Sequence, residues 1–312
     1  MNTVAHPASR TGTAPPAVRT APPVPLDAAQ RGEGPFVWRF NLYHRVTHAT
    51  VMVSFFTLVA TGLPLRFSGA FWAPTVMKLL GGVHMAGRLH RTAAAVTFGY
   101  FLAHLTYVVV ALVRARPEDR KRMLWGRESM VPHTSDFVHF VQQFRWFLGL
   151  GPRPQFGRYS YMEKFDYLAV FWGVAMIGTS GLFLWFPEFF ARFLPGWVFN
   201  VATIIHADEA VLATAFIFTI HFFNVHLRPE KFPLDAVMFT GRATKHYMVE
   251  EHPGVADRIE ALEAEPIRHA PVLDARAPAP GHRLSLVGAI LGFAALAVGL
   301  VLIGMMLWVA LS

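Results

Sequence analysis

The chain has 312 residues, of which 54% are hydrophobic and only 15% charged, with a net charge of +8 and no cysteine. That balance points to a membrane protein. The lack of thiols excludes thiolate-ligated or covalently attached haem, iron–sulfur clusters and disulfides, so any redox centre held here must use histidine or methionine.

Residues 1–35 are rich in Ala, Pro and Thr and carry no apolar stretch. They read as a disordered tail, neither a signal peptide nor a folded domain. Apolar runs follow at about 46–65, 89–113, 165–187, 203–227 and 285–311. Each is close to the roughly 20 residues that span a bilayer, and in lipid each must be a helix. The expected fold is therefore an all-α membrane protein. Four spans lie within a domain at 36–255, a linker follows at 256–283, and a fifth span occupies 284–312.

Between spans two and three, Ser135-Asp136 resembles a helix cap. Phe137, Phe140, Val141, Phe144, Phe147 and Leu148 then recur at helical spacing. This predicts an amphipathic helix on the inner membrane face. In span five, Gly288 and Gly292 make a small-residue face suited to packing on the bundle or on a partner.

Of the 28 Lys and Arg, 23 lie in the segment through Arg45, in 114–164 and in 228–283. The positive-inside rule makes that side cytoplasmic, with the N-terminus inside and the C-terminus outside. Topology accounts for the net charge without nucleic acid.

On span two, His90 and His104 are 14 residues apart; on span four, His206 and His221 are 15 apart. At 1.5 Å per residue these intervals are about 21 and 22 Å, close to four turns, so each pair lies roughly on one face. Spans two and four run in the same direction. They can offer two stacked bis-histidine sites for b-type haem, with His90 and His206 at the outer level and His104 and His221 deeper. His48 and His226 sit at the ends of spans one and four. Six histidines in or bordering lipid are costly unless something offsets their desolvation. Hydrogen bonding between helices explains one such residue more easily than six.

Arg88 and Arg91 flank His90 and can pair with haem propionates at the outer surface; Arg39 and Arg45 can do so at the inner one. Gly62, Gly99, Gly173, Gly178 and Gly181 supply bare helix surface for a porphyrin, or for ordinary small-residue packing. Asp208 reads as a favourable acid at a helix N-terminus. Glu209 could fill that role or contact a ligand imidazole.

At this point the chain resembles a known family. Arg45-Val46-Thr47-His48 with a span ending Thr61-Gly62, then Gly87-Arg88-Leu89-His90, resemble the first two helices of the dihaem cytochrome b subunits of membrane formate dehydrogenases and nickel–iron hydrogenases. Lys164 through Gly181-Leu182-Phe183-Leu184-Trp185 resembles their third helix. Ile205-His206-Ala207 with His221 resembles their fourth. Asn224-Val225-His226-Leu227-Arg228-Pro229 is similar to the thiosulfate-reductase-like branch. The likeness covers roughly 36–255.

It implies a protein of the bacterial cytoplasmic (inner) membrane that carries electrons between the quinone pool near the inner face and a periplasmic partner. That partner would be a multihaem cytochrome c or a dehydrogenase or reductase subunit. It also implies His90 with His206 at the outer haem and His48 with His221 at the inner one, although the helix-four interval is one residue longer here than in the family. Three inner assignments stay open: His48 with His221, His104 with His221, or a third haem on His48 and His226. Quinone candidates are His44, His48, the 158–164 segment and His226, with Glu163 equally readable as a surface charge.

Two rivals belong to other classes. A histidine-lined metal transporter would place acids along a pathway, whereas the acids counted in the spans, Asp208 and Glu209, sit at one end. A haem-free membrane anchor would not need four histidines at paired depths.

Overall fold

The computed structural model describes residues 35–126, 129–228, 231–263, 273 and 275–311, so the expected tail lies almost wholly outside it. The N-terminal strand β1 (Phe36–Trp38) leads into helix α1 (Leu42–Arg66), which begins where Asn41 Oδ1 accepts the His44 amide at 2.9 Å. Helix α2 (Val83–Arg114) follows a tight reversal at Gly81 and Gly82, whose φ angles of 83° and 88° suit glycine. Helix α3 (Thr134–Phe147) precedes the long helices α4 (Tyr161–Trp185) and α5 (Trp197–Leu227). Then come strand β2 (Arg242–Thr244), helices α6 (Lys245–Glu251) and α7 (Ala256–Glu263), strand β3 (Arg276–Ala277) and helix α8 (His282–Leu311).

Helices α1, α2, α4, α5 and α8 are long and apolar enough to cross a membrane. The chain is an all-α, multi-pass membrane protein. Each span starts earlier than its apolar run, α2 at Val83 and not 89, because first turns carry polar residues that hydropathy passes over.

Side-chain contacts fix the helix directions. Tyr43 near the start of α1 meets His104 late in α2, and Thr61 near the end of α1 meets His90 early in α2. Likewise Asp166 early in α4 meets His221 late in α5. Helices α2 and α5 thus run parallel, each antiparallel to its neighbour. Val59 and Leu63 of α1, Phe218 and Phe222 of α5 and Leu302 of α8 form a buried apolar core. Helix α8 approaches closely because it presents glycine: a side chain at Gly299 would strike Phe218 and Phe222, and one at Gly292 would strike Leu234. Its small-residue face is directed at the bundle.

Helix α3 leaves Phe137 and Phe147 71% and 67% exposed, as a helix lying in the interface does. Its cap is His133, two residues before the expected Ser135, with Asp136 closing the box at the third position. Asp136 also accepts from the buried Lys164 Nζ at 2.9 and 3.0 Å, tying α3 to the start of α4.

The stretch expected as a linker contains α7 and β3. Strand β1 is the centre of a small antiparallel sheet, with Phe36 opposite Thr244 on one side and Ala277 on the other. Val37, Ala243, Met248, Val255 and Ile259 form its apolar core. The sheet needs partners more than 200 residues apart in sequence, which local composition does not reveal. We call this unit the cap.

The cap joins the bundle through Glu251, whose carboxylate accepts from Arg153 at 2.7 Å and from Arg228 at 3.0 Å, with Lys231 at 3.8 Å. Burial alone would raise this carboxyl, but Lys231, Arg228 and Arg153 hold it below the usual carboxylate range. Its stabilisation is full above the unfolded value of about 4.3 and is lost as pH falls through the lower folded value. Glu251→Gln is therefore expected to weaken the cap at neutral pH and to reduce its loss on acidification. Hydrogen exchange of residues 242–259 against pH checks this.

Candidate functional site

The upper level joins α2 and α5. The imidazoles of His90 and His206 have ring centres 6.1 Å apart with planes inclined at 66°. His206 Nδ1 lies 3.0 Å from the Ile177 carbonyl, which can only accept, so Nδ1 carries the proton and Nε2 keeps its lone pair. His90 Nδ1 lies 2.8 Å from Thr61 Oγ1. The Thr61 hydroxyl already donates to the Thr57 carbonyl at 2.6 Å, so it accepts from His90 Nδ1–H. Both histidines thus have Nδ1 anchored and Nε2 basic, the state that metal-ligating imidazoles adopt.

Three wide turns shape this level and the one below, the last of them, Phe223–Leu227, carrying His226. In α4 a π-helical turn at Val174–Gly178 contains Ile177, the carbonyl that His206 uses. In α5 a second π turn, Ile217–His221, lies between His206 and His221. A π turn takes up one residue more than an α turn and often marks a functional site. It absorbs the extra residue of the 15-residue interval and keeps His221 toward the bundle interior.

Of the five glycines singled out in sequence, Gly181 matters most. A Cβ there would lie 2.9 Å from His206 Cε1. Gly178 has Phe98 at 3.1 Å and Gly62 has His90 at an ordinary 3.6 Å, whereas Gly99 and Gly173 have nothing within 4 Å.

The lower level gathers His48, His221 and His226 within electrostatic reach of one another. His221 Nδ1 lies 2.9 Å from Asp166 Oδ2, and a carboxylate at Nδ1 again leaves Nε2 with its lone pair. His226 differs: its Nδ1 accepts the Asp235 amide at 3.3 Å, so its proton sits on Nε2 as a donor. In His104 both ring nitrogens are taken by phenols, Nδ1 by Tyr43 at 3.0 Å and Nε2 by Tyr167 at 2.9 Å.

Arg88 is exposed and stands outside the cavity lining, while Arg91 is exposed but borders it. Arg45 Nε donates to the Phe239 carbonyl at 2.9 Å and so serves the chain's own loop. Asp208 is not at a helix N-terminus, because α5 starts at Trp197; it pairs with Arg66 at 3.1 Å. Glu209 accepts from Trp172 Nε1 at 3.4 Å. Nor are these the only acids within a span, since Asp166 lies inside α4 and Glu163 in its first turn.

Glu163 is no loose surface charge. It closes the capping box of α4 with Ser160 and accepts from Arg39 Nη2 at 2.8 Å. Arg39 is 1% exposed, and its Nη1 is buried without a hydrogen-bond partner. Its Nη2 also lies 3.4 Å from His252 Nε2. Burial holds His252 below the ordinary histidine range, and its Nδ1–H donates to the Gly157 carbonyl at 2.9 Å.

One cavity of about 2600 Å³ runs through both levels, reaching His90 and His206 above and His48, His221, His226 and Arg39 below. A small-molecule pocket holds about 300–1,000 Å³, so this space exceeds one ligand. A metal bound about 2 Å from each of two imidazole nitrogens, with about 1 Å more to each ring centre, separates the centres by about 6 Å. The upper pair meets that requirement. Among the described residues no three His, Asp or Glu side chains cluster to hold a metal ion. Neither the protein-family models nor the curated proteins compared with this chain match it.

Ile177, Asp166, Tyr43 and Tyr167 were not singled out in sequence, and Thr61 was named only as the end of the first span. Asp166 carried a signal, an acid in an apolar run; a backbone carbonyl carried none. Gly181→Val is expected to push His206 off its Ile177 anchor and misplace Nε2. The loss of the shifted His206 ring signals in the nitrogen-15 spectrum of labelled protein checks this.

Proposed function

We propose that the chain is a b-type cytochrome that carries electrons across a membrane between quinone at the lower level and a redox partner beyond the upper one. The observation that supports this reading best is the His90–His206 pair, two anchored imidazoles whose separation would suit one haem iron held between them. Haem held there would supply one-electron transfer. The cavity's size and its continuity from one level to the other support two such groups. This is the arrangement expected from the resemblance to dihaem cytochrome b subunits.

At the lower level His221 is the first ligand, because Asp166 fixes its tautomer. His48 is the second. His104, held at both nitrogens, and His226, with its Nε2 protonated, are not placed as ligands. The chain's remaining work is orientation and exclusion of water: Thr61 and Ile177 hold the upper rings, and the apolar packing of α1, α5 and α8 seals one flank of the bundle.

Quinone carbonyl oxygens need hydrogen-bond donors. His226 Nε2–H is a donor on the lower cavity wall, which Arg39 and Glu163 also line. By the distribution of Lys and Arg this end faces the cytoplasm of a bacterial cell, and the upper level faces the periplasmic partner.

A dithionite-reduced minus oxidised spectrum with a pyridine haemochrome count tests the reading, with two b-type haems per chain expected. His206→Ala should remove one and leave the other, and His221→Ala the converse. A preparation without haem, from cells supplied with it, would leave a membrane anchor. Arg39→Met should keep both haems while raising the quinol concentration for half-maximal reduction at least tenfold.

A further inference from the structure

His104 lies in the middle of a hydrogen-bonded chain that the haem reading leaves unused. Tyr43 from α1 holds its Nδ1 and Tyr167 from α4 holds its Nε2. Packing fixes the geometry. The Tyr43 and His104 rings are inclined by only 15°, Tyr107 stacks on Tyr43 at 4.4 Å, and Phe171 meets His104 edge-on at 6.4 Å. Three mutually bonded polar side chains among apolar helices are an expensive way to fill space, since Phe or Leu would pack without desolvated polar atoms.

The two ends of the chain lie in different places. Tyr167 lines the cavity next to Asp166, the carboxylate that orients His221. Tyr43 is in the first turn of α1, two residues after its cap. It borders the cavity and also an outer groove between α1 and α2, with Leu42, Thr47 and Tyr100. Tyr107, which covers it, is 47% exposed. His44, Arg158 and Tyr159 are the other ionisable groups around this end.

We propose that Tyr167, His104 and Tyr43 form a proton relay between the lower cavity and the membrane surface at the start of α1. The proposal rests on the quinone reading above. Oxidation of a quinol to a quinone releases two electrons and two protons; the electrons go to one-electron acceptors, and each proton must leave by a separate route. In one passage the Tyr167 oxygen gains the quinol's proton and gives its own to His104 Nε2. His104 Nδ1–H passes to the Tyr43 oxygen, whose own proton goes to interfacial water. Each group ends with as many protons as it began with, and the imidazole has changed tautomer; the relay is ready again once that tautomer resets. Quinone reduction uses the same chain in reverse. An imidazole bonded at both nitrogens suits this task, because it accepts on one side and donates on the other.

The test uses haem-loaded protein in nanodiscs with reduced duroquinone as electron donor. Tyr43→Phe, Tyr167→Phe and His104→Phe should each keep the native haem count and dithionite-reduced spectrum. Their rate of haem reduction by quinol should fall at least tenfold, and added imidazole should restore part of the rate to His104→Gly. Independently of turnover, the nitrogen-15 spectrum of His104 should show both ring nitrogens hydrogen-bonded and exchanging between tautomers. Unchanged quinol rates in both tyrosine variants, or a single fixed His104 tautomer, would overturn the relay. Loss of one haem in His104→Phe would overturn it too, by making His104 a ligand. If the native protein binds haem but no quinol reduces it, the quinone reading fails and the relay fails with it, which the nitrogen-15 result distinguishes from failure of the relay alone.

Discussion

Each imidazole in this bundle must place two polar ring atoms where little water reaches, and the partner of one nitrogen decides what the other can do. Where Nδ1 faces a group that accepts, as at His206 and His221, Nε2 is left basic and aimed at the cavity. Where Nδ1 faces an amide N–H, as at His226, Nε2 becomes a donor. Where both nitrogens are taken, as at His104, neither is left for a metal. Four residues of one type in one cavity thus have three chemistries, set by their neighbours.

Those neighbours depend on backbone irregularity. Ile177, in the wide turn of α4, offers its carbonyl to His206 Nδ1 as well as to the Ser180 hydroxyl. The widening of α5 before His221 keeps that residue in phase over an interval slightly too long for regular helix. Gly181 then lets α4 lie against the His206 ring. Helix geometry, glycine placement and ring orientation form one device at the upper level.

Much of this was legible in the sequence, and for physical reasons. The five spans follow from lipid's demand for satisfied backbone. The pairing of His90 with His206 follows from two parallel helices carrying histidines at matching depth. Three features were hidden. The hydrogen bonds of His104 come from two tyrosines on other helices, which spacing alone does not show. Glu163 was equally readable as a quinone-site acid or a surface charge because its partner, Arg39, lies 124 positions away. The part of the cap within 256–283 read as a linker because the sheet forms only between distant segments, and its short strands carry no local pattern. Asp166 was visible in an apolar run, and its value was missed.

The place of β1 in the sheet has a consequence for the order in which the molecule is made. This strand, among the earliest described residues, is flanked by one pairing partner near residue 243 and another near residue 276. Four spans are therefore synthesised before β1 meets either partner, and the second edge of the sheet must wait for the end of the inter-span segment. Until then α6, whose Tyr247 and Glu251 line the cavity, is joined to a sheet with one edge still unpaired.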